Sequence, residues 1–190
     1  MTVLLSQLPE RLYLERYNGD YHKYIDAVYS VFKNDFIDSK PIIEDIVFKL
    51  KFNPKYQNRA YTFYHMTHEG DIEHERTPDL RRCERMPWCK PGIERTKELS
   101  LRFWEQERHG SHRICIWLDV EKDDDNPWQN NYFIILDVRK GYVLPWTAFC
   151  AKYHHDVEKK EKEYQKWKQS VGTTEYTLYT LIQDIMNRIK

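Results

Sequence analysis

Residues 132–149 read YFIILDVRKGYVLPWTAF. Two runs dense in β-branched and aromatic side chains flank Lys140-Gly141, the pattern of two strands joined by a tight hairpin. Pro145 interrupts the second run. Proline has no N–H to give to a ladder, so this strand belongs at a sheet edge or carries a bulge. The same reasoning extends upstream, where residues 101–107 and 113–120 form another strand pair across His109-Gly110. An acidic loop, residues 121–126, separates the two hairpins. Four strands in this order predict a mainly antiparallel sheet.

Around these strands the spacing turns helical. Tyr21, Tyr24, Ile25, Val28, Phe32 and Phe36 recur at intervals of three and four, which predicts a helix over residues 20–36 started by Asn18-Gly19-Asp20. Ile46, Phe48, Leu50 and Phe52 alternate with Val47, Lys49 and Lys51, as in a half-buried strand, and residues 61–66 read as a second strand beyond the Asn53-Pro54 turn. Thr77-Pro78 places a capping hydroxyl before a proline at the first helical position, opening an arginine-rich helix that runs to about Arg85, ahead of Pro87. Pro91-Gly92 allows a short helix over residues 93–99. Residues 152–169 form a charged helix, with the run 156–168 read as a solvated face. Thr173-Thr174 caps a final helix whose apolar face carries Leu178, Leu181, Ile182, Ile185 and Ile189. The expectation is an α+β fold with an N-terminal helix, an arginine-rich central helix and two C-terminal helices. Residues 1–150 form the main domain and residues 151–190 a helical extension.

Composition narrows the function. At 190 residues the chain can bury a substantial core, and its 41% hydrophobic and 32% charged content is that of a globular protein. Thirty basic and thirty acidic side chains give a formal net charge of +0, which argues against a non-specific nucleic-acid coater. Gripping one or two phosphates locally stays open. The start, MTVLLSQLPERLYLERY, is too charged for a secretory signal, and no apolar run approaches the length of a membrane span. A cytoplasmic protein with four reduced cysteines, and with no membrane association, is therefore expected. Oligomeric state has no signature here.

The chemistry concentrates in residues 61–88, YTFYHMTHEGDIEHERTPDLRRCERMPW. If residues 61–66 are a strand, Tyr61, Phe63 and His65 share one face and Thr62, Tyr64 and Met66 the other. A histidine fixed among aromatics suits acid–base catalysis; the alternative is a buried histidine bonded to a backbone carbonyl. Arg81 and Arg85 lie one helical turn apart, with Arg82 beside them, and could fork onto phosphate oxygens or pair with Asp79, Glu84 or Glu73. His65, His68, His74, Cys83 and Cys89, and the cluster His154-His155-Asp156, lack the spacing of a known zinc site. No metal is expected, and Cys115 reads as a packing residue. GxxxxGK[ST], GxGxxG and GxSxG sequences are absent, so neither a nucleotide cofactor nor serine-hydrolase chemistry is expected. Thr147 follows Pro145 by two residues, where its hydroxyl could bond a phosphate or cap the next helix.

Taken in order, TFYHMTHEG, ERTPDLRRCERMPW, IWLD and YFIILDVRKGYVLPWTAF resemble the barnase–EndoU–colicin–RelE-like (BECR) nucleases, in their phage-associated branch. The resemblance covers roughly residues 46–149. It implies a small sheet-and-helix ribonuclease that cleaves RNA without a metal or other cofactor, the RNA's own 2′-hydroxyl being the nucleophile. His65 matches the histidine of the family's TFWH stretch and would be acid or base. Arg81, Arg82 and Arg85 match its arginine helix, and Thr147 the threonine of its TAY end. By this reading His65, His68, Arg81, Arg85 and Thr147 are catalytic, and Arg82, Arg76, Tyr64 and Trp146 bind substrate. Tyr64 stands where the family has tryptophan. His68 replaces the small residue of SEG, as a second proton carrier or a surface substitution. Asp123 to Asp125 would repel RNA if they lay near the cleft. The implied role is a toxin, or a weapon of phage–host conflict, from a mobile element. RNA and a neutralising antitoxin or immunity protein would be its partners. The rival readings are an inactive module of the same fold that binds RNA or protein, and a zinc-stabilised adaptor.

Overall fold

Asp20 accepts a hydrogen bond from Lys23 N at 3.1 Å and so caps helix α1, Tyr21–Phe32. The computed structural model describes residues 2–108, 110–122 and 130–189, with the side chains of Glu107 and Arg108 left aside. Helix α1 buries Tyr24, Ile25, Val28 and Phe32, and a π-helical stretch, Lys33–Asp38, carries Phe36 into the same core. Next come helix α2 (Tyr61–Thr67), strands β1 (His68–Glu69) and β2 (Thr77–Pro78), and helices α3 (Leu80–Glu84) and α4 (Cys89–Glu94). Strands β3 (Arg102–Arg108), β4 (Ser111–Asp119), β5 (Asn131–Arg139) and β6 (Tyr142–Cys150) precede helices α5 (His154–Val171) and α6 (Leu178–Arg188). The fold is α+β, with the expected N-terminal and paired C-terminal helices.

The sheet runs β3-β4-β5-β6, every neighbour antiparallel. Pro145 acts in both ways its chemistry allows. β6 is an edge strand, and the register slips there: Ile135 faces Thr147 while Leu136 faces Pro145, which leaves Trp146 as the extra residue of a bulge. The acidic loop of the sequence reading lies largely, and its run Asp123 to Asp125 entirely, outside the described residues, as does His109 of the first hairpin turn.

One face of the sheet, with Ile114, Ile116, Ile134 and Leu136, packs against α4 and against Leu178, Leu181, Ile182 and Ile185 of α6, in one core with the apolar side of α1. The other face, with Trp104, Trp117, Phe133 and Cys115, lies under Val157, Tyr164 and Trp167 of α5. Both C-terminal helices therefore complete the core, one on each side. Thr177 caps α6 by accepting from Thr180 N at 3.1 Å, where Thr173-Thr174 had the expected signal. Among the described residues no helix is long and apolar enough to cross a membrane.

Four local expectations fail, each for a physical reason. Residues 61–66 are helix, not strand. All seven residues of α2 are buried, and a short run buried on every side carries no period to separate the two states. Residues 46–50 keep their alternation, Phe52 being 44% exposed, but the segment touches β6 through only a parallel bridge between Phe48 and Val143. Val143 N donates to Val47 O and Lys49 N to Val143 O, both at 2.9 Å. The next donor in that ladder would be residue 145, a proline without an N–H. Thr77-Pro78 pairs with β1 instead of opening a helix; Asp79 caps α3, accepting from Arg81 N at 3.0 Å and Arg82 N at 3.4 Å. The short helix expected over residues 93–99 lies earlier, as α4. Pro91 falls in its first turn, where no backbone N–H is needed. Gly92 lies so close to the sheet that a Cβ there would sit 2.6 Å from Ile134 Cδ1.

Candidate functional site

Because α2 is a helix, Tyr61, Tyr64, His65 and His68 fall on one side at positions i, i+3, i+4 and i+7, while Phe63 and Met66 enter the core. Tyr61 stacks on His65 with ring centroids 4.4 Å apart, and Tyr64 stacks on His68 at the same separation. Glu73 accepts hydrogen bonds from Tyr56 at 2.8 Å and Tyr61 at 3.0 Å, which locks the outer ring of the first stack. Trp146, pushed out by the bulge, approaches the other side of His65, centroids 5.5 Å apart.

His65 is 6% exposed, and among the described residues its buried Nε2 has no hydrogen-bond partner. Burial, reinforced by the Arg76 guanidinium, pushes its pKa down to about 4, so the imidazole is neutral at pH 7. A neutral imidazole with a ring nitrogen uncommitted can accept a proton.

The threonine of β6 ties this helix to α3. Thr147 Oγ1 donates to His65 O at 2.8 Å, and Arg82 Nη1 lies 3.1 Å from His68 O and 3.5 Å from Thr147 Oγ1. Arg82 is also ion-paired to Asp79 at 3.4 Å and lies 3.9 Å from Glu69. These residues border a cleft of about 600 Å³ that also takes in Arg76, Trp146, Phe149, Lys152 and the turn Glu69-Gly70-Asp71. Gly70 has φ +138°, and a Cβ there would meet Arg76 Cα at 3.3 Å, so the turn can hug Arg76 only with glycine at this point. Arg76 has no hydrogen-bond or ion-pair partner for its guanidinium among the described residues. Lys152 reaches Glu69 at 2.6 Å. Three cations, two carboxylates and one neutral imidazole thus face a single volume.

Of the residues singled out from the sequence, His65, Arg76, Arg82, Trp146 and Thr147 come together in this cleft. Four others do not. Arg81 turns to Asp79, at 3.4 Å. Arg85 is fully buried, bonded to Glu84 at 3.1 Å and to Arg81 O at 3.3 Å, with its guanidinium 5.3 Å from the Trp88 ring. The Arg81/Arg85 face is a structural ion-pair face, and Arg82 between them is the one aimed at the cleft. His68 is 5% exposed, lies beneath Tyr64 with Nδ1 2.9 Å from Thr67 Oγ1, and is likewise held by burial at a pKa of about 4. Tyr64 supports the loop from below: its hydroxyl lies 3.0 Å from Glu73 O and 3.2 Å from Arg76 O, one of which takes its proton.

Sequence reasoning missed Lys152, Asp71 and the positioning carboxylate Glu73. Nothing in the spacing of EGDIEHER separates Glu73 from its acidic neighbours, and Lys152 sits in a charge run that reads as surface. Among the described residues no group of three His, Cys, Asp or Glu side chains converges as a metal site. The four cysteines are buried free thiols, Cys115 at 0% exposure in the outer cluster. No match was found in a scan against protein-family models or in searches of curated proteins and of solved structures.

Proposed function

We propose that this protein is a metal-independent, RNA-cleaving endoribonuclease whose reaction takes place in the cleft between α2, α3 and β6. The observation that carries the reading is a neutral His65 that borders a cleft with Arg76, Arg82, Lys152 and Thr147, its buried Nε2 without a hydrogen-bond partner among the described residues. Neutral imidazole beside guanidinium groups is what internal transesterification of RNA requires. His65 Nε2 takes the proton of a 2′-hydroxyl, and that oxygen attacks the adjacent phosphorus. The P–O5′ bond breaks, leaving a 2′,3′-cyclic phosphate and a 5′-hydroxyl whose proton comes from solvent in the open cleft. Arg76, which has no internal partner to give up among the described residues, and Arg82 hold the phosphorane oxygens. Thr147 fixes the α2 backbone at His65 rather than touching the reacting atoms.

The resemblance to phage-associated BECR nucleases points the same way, to a cytoplasmic effector of a mobile element with a neutralising protein partner. One observation favours an inactive RNA-binding module on the same cleft: the Thr147 hydroxyl and Arg82 already have partners within the fold. Incubating the protein with an RNA oligonucleotide and its DNA counterpart in EDTA decides between them. Cleavage of RNA alone, to cyclic-phosphate ends, is expected; RNA that is bound but stays intact at high protein concentration leaves only the binding module.

A further inference from the structure

We infer that the outward face of α5 continues the cleft as a track for the backbone of single-stranded RNA, an inference that rests on the reading of the cleft given above. The cleft does not close at its α5 end. Arg82, Phe149 and Lys152 also line an adjoining hollow of about 290 Å³ that reaches Lys159. Lys159 in turn borders a groove of about 420 Å³ with His155, Lys162 and Lys166, which Glu158 and Glu163 also line. Positions 155, 159, 162 and 166 follow the helical repeat and form one stripe, about 16 Å long at the helical rise of 1.5 Å per residue.

The carboxylates of α5 are engaged elsewhere. Asp156 accepts from the backbone of Lys152 and Tyr153, Glu161 pairs with Arg102 at 2.5 Å, and Glu163 pairs with Lys160 at 2.9 Å. Glu158 and Lys162 stand at the i,i+4 spacing suited to an ion pair, yet Glu158 lies against the His154 ring instead, 3.7 Å from its Nδ1. Among the described residues, Lys159, Lys162 and Lys166 have no acidic partner, and all three are exposed. A helix that only needed solubility would pair these charges along its surface. Here Glu161 reaches back to Arg102 on the sheet, and three exposed lysines share the outer groove with only Glu158 and the already paired Glu163.

In the chain, Tyr153 falls between Lys152 of the cleft and His155 of the stripe; it is 60% exposed, its ring stacked on His155 at 5.3 Å and 13°. A flat aromatic pair beside a row of lysines is the arrangement that holds stacked bases and tracks phosphates without reading sequence. A net charge of +0 for the whole chain confines this attraction to one strip of surface.

The test measures binding of uncleavable 2′-O-methyl oligonucleotides, a trimer and a 16-mer, as a function of salt, for the full chain and for a Lys159→Gln/Lys162→Gln/Lys166→Gln variant. Each phosphate contact contributes about 0.7 to the slope of log affinity against log salt for a single strand. The variant should bind the 16-mer with a slope smaller by about two and about ten- to hundredfold more weakly at 0.1 M salt. Its trimer affinity should match that of wild type. Equal affinity and slope for the 16-mer in both proteins would overturn the track and leave the cleft reading standing. Wild type that binds neither length would overturn both.

Discussion

Acidification from pH 7 to 5 should destabilise this protein more steeply than its carboxylates can account for. His65 and His68 are buried and held at pKa values of about 4, while in the unfolded chain a histidine titrates near 6.5. A depressed folded-state pKa means that the unfolded chain takes up protons first. The stabilisation is therefore complete above pH 6.5 and is lost as pH falls toward 4. Within that window the unfolded state holds up to two more protons than the folded state, so the slope approaches about 2.7 kcal/mol per pH unit. Between pH 7 and 5 the pair should remove about 3 to 4 kcal/mol, a large share of the roughly 5–15 kcal/mol of a typical domain. Carboxylates such as Asp79, held low by Arg81 and Arg82 against the effect of its own burial, contribute only at lower pH. Urea unfolding followed by tryptophan fluorescence at half-unit pH steps measures the slope. A His65→Gln/His68→Gln variant should lose most of it between pH 6.5 and 5. Wild-type stability flat across this range, or a double variant with an unchanged slope, would refute the burial of two neutral imidazoles.

Other consequences follow from single contacts. Gly92→Ala places a methyl group 2.6 Å from Ile134 Cδ1, and the overpacking should cost about 1–3 kcal/mol, read as a lower Tm. Arg85→Met leaves half-buried Glu84 with Arg11 alone to offset its burial and should cost about 1–3 kcal/mol in urea unfolding, while the folded variant keeps the wild-type affinity for RNA. Thr147→Val removes the hydrogen bond to His65 O; stability should fall by about 1 kcal/mol in thermal unfolding, and RNA cleavage should slow by tenfold or more without loss of binding.

The sheet was legible because its signals are local. Lys140-Gly141 sets a hairpin, and Pro145 forces an edge and a bulge whatever surrounds it. Helices α1, α5 and α6 announce themselves through long apolar or charged periods. Helix α2 did not, since Tyr61–Thr67 has every side chain buried, and burial on all sides erases the difference between a period of 2 and one of 3.6. That single misreading put Tyr61 and Phe63 on one face, when Tyr61 stacks on His65 and Phe63 belongs to the core. The site was half legible for a related reason. His65, Arg82 and Thr147 could be named as chemistry-bearing types in order along the chain. Which of three adjacent arginines faces the cleft depends on where Asp79 caps α3, and that is a property of the folded turn. Glu73 and Lys152 acquire meaning only from the partners the fold brings to them, Tyr61 and Glu69.

The measurement that bears most directly on the account is the initial rate of RNA cleavage in EDTA by wild type and by His65→Gln, with the product ends identified. Wild type should yield 2′,3′-cyclic phosphate and 5′-hydroxyl ends at a rate nearly constant from pH 5 to 8, since His65 is already neutral there. His65→Gln should lose at least a hundredfold while still binding the same RNA. A His65→Gln protein that cleaves as fast as wild type, or a wild type that leaves RNA intact, would contradict it.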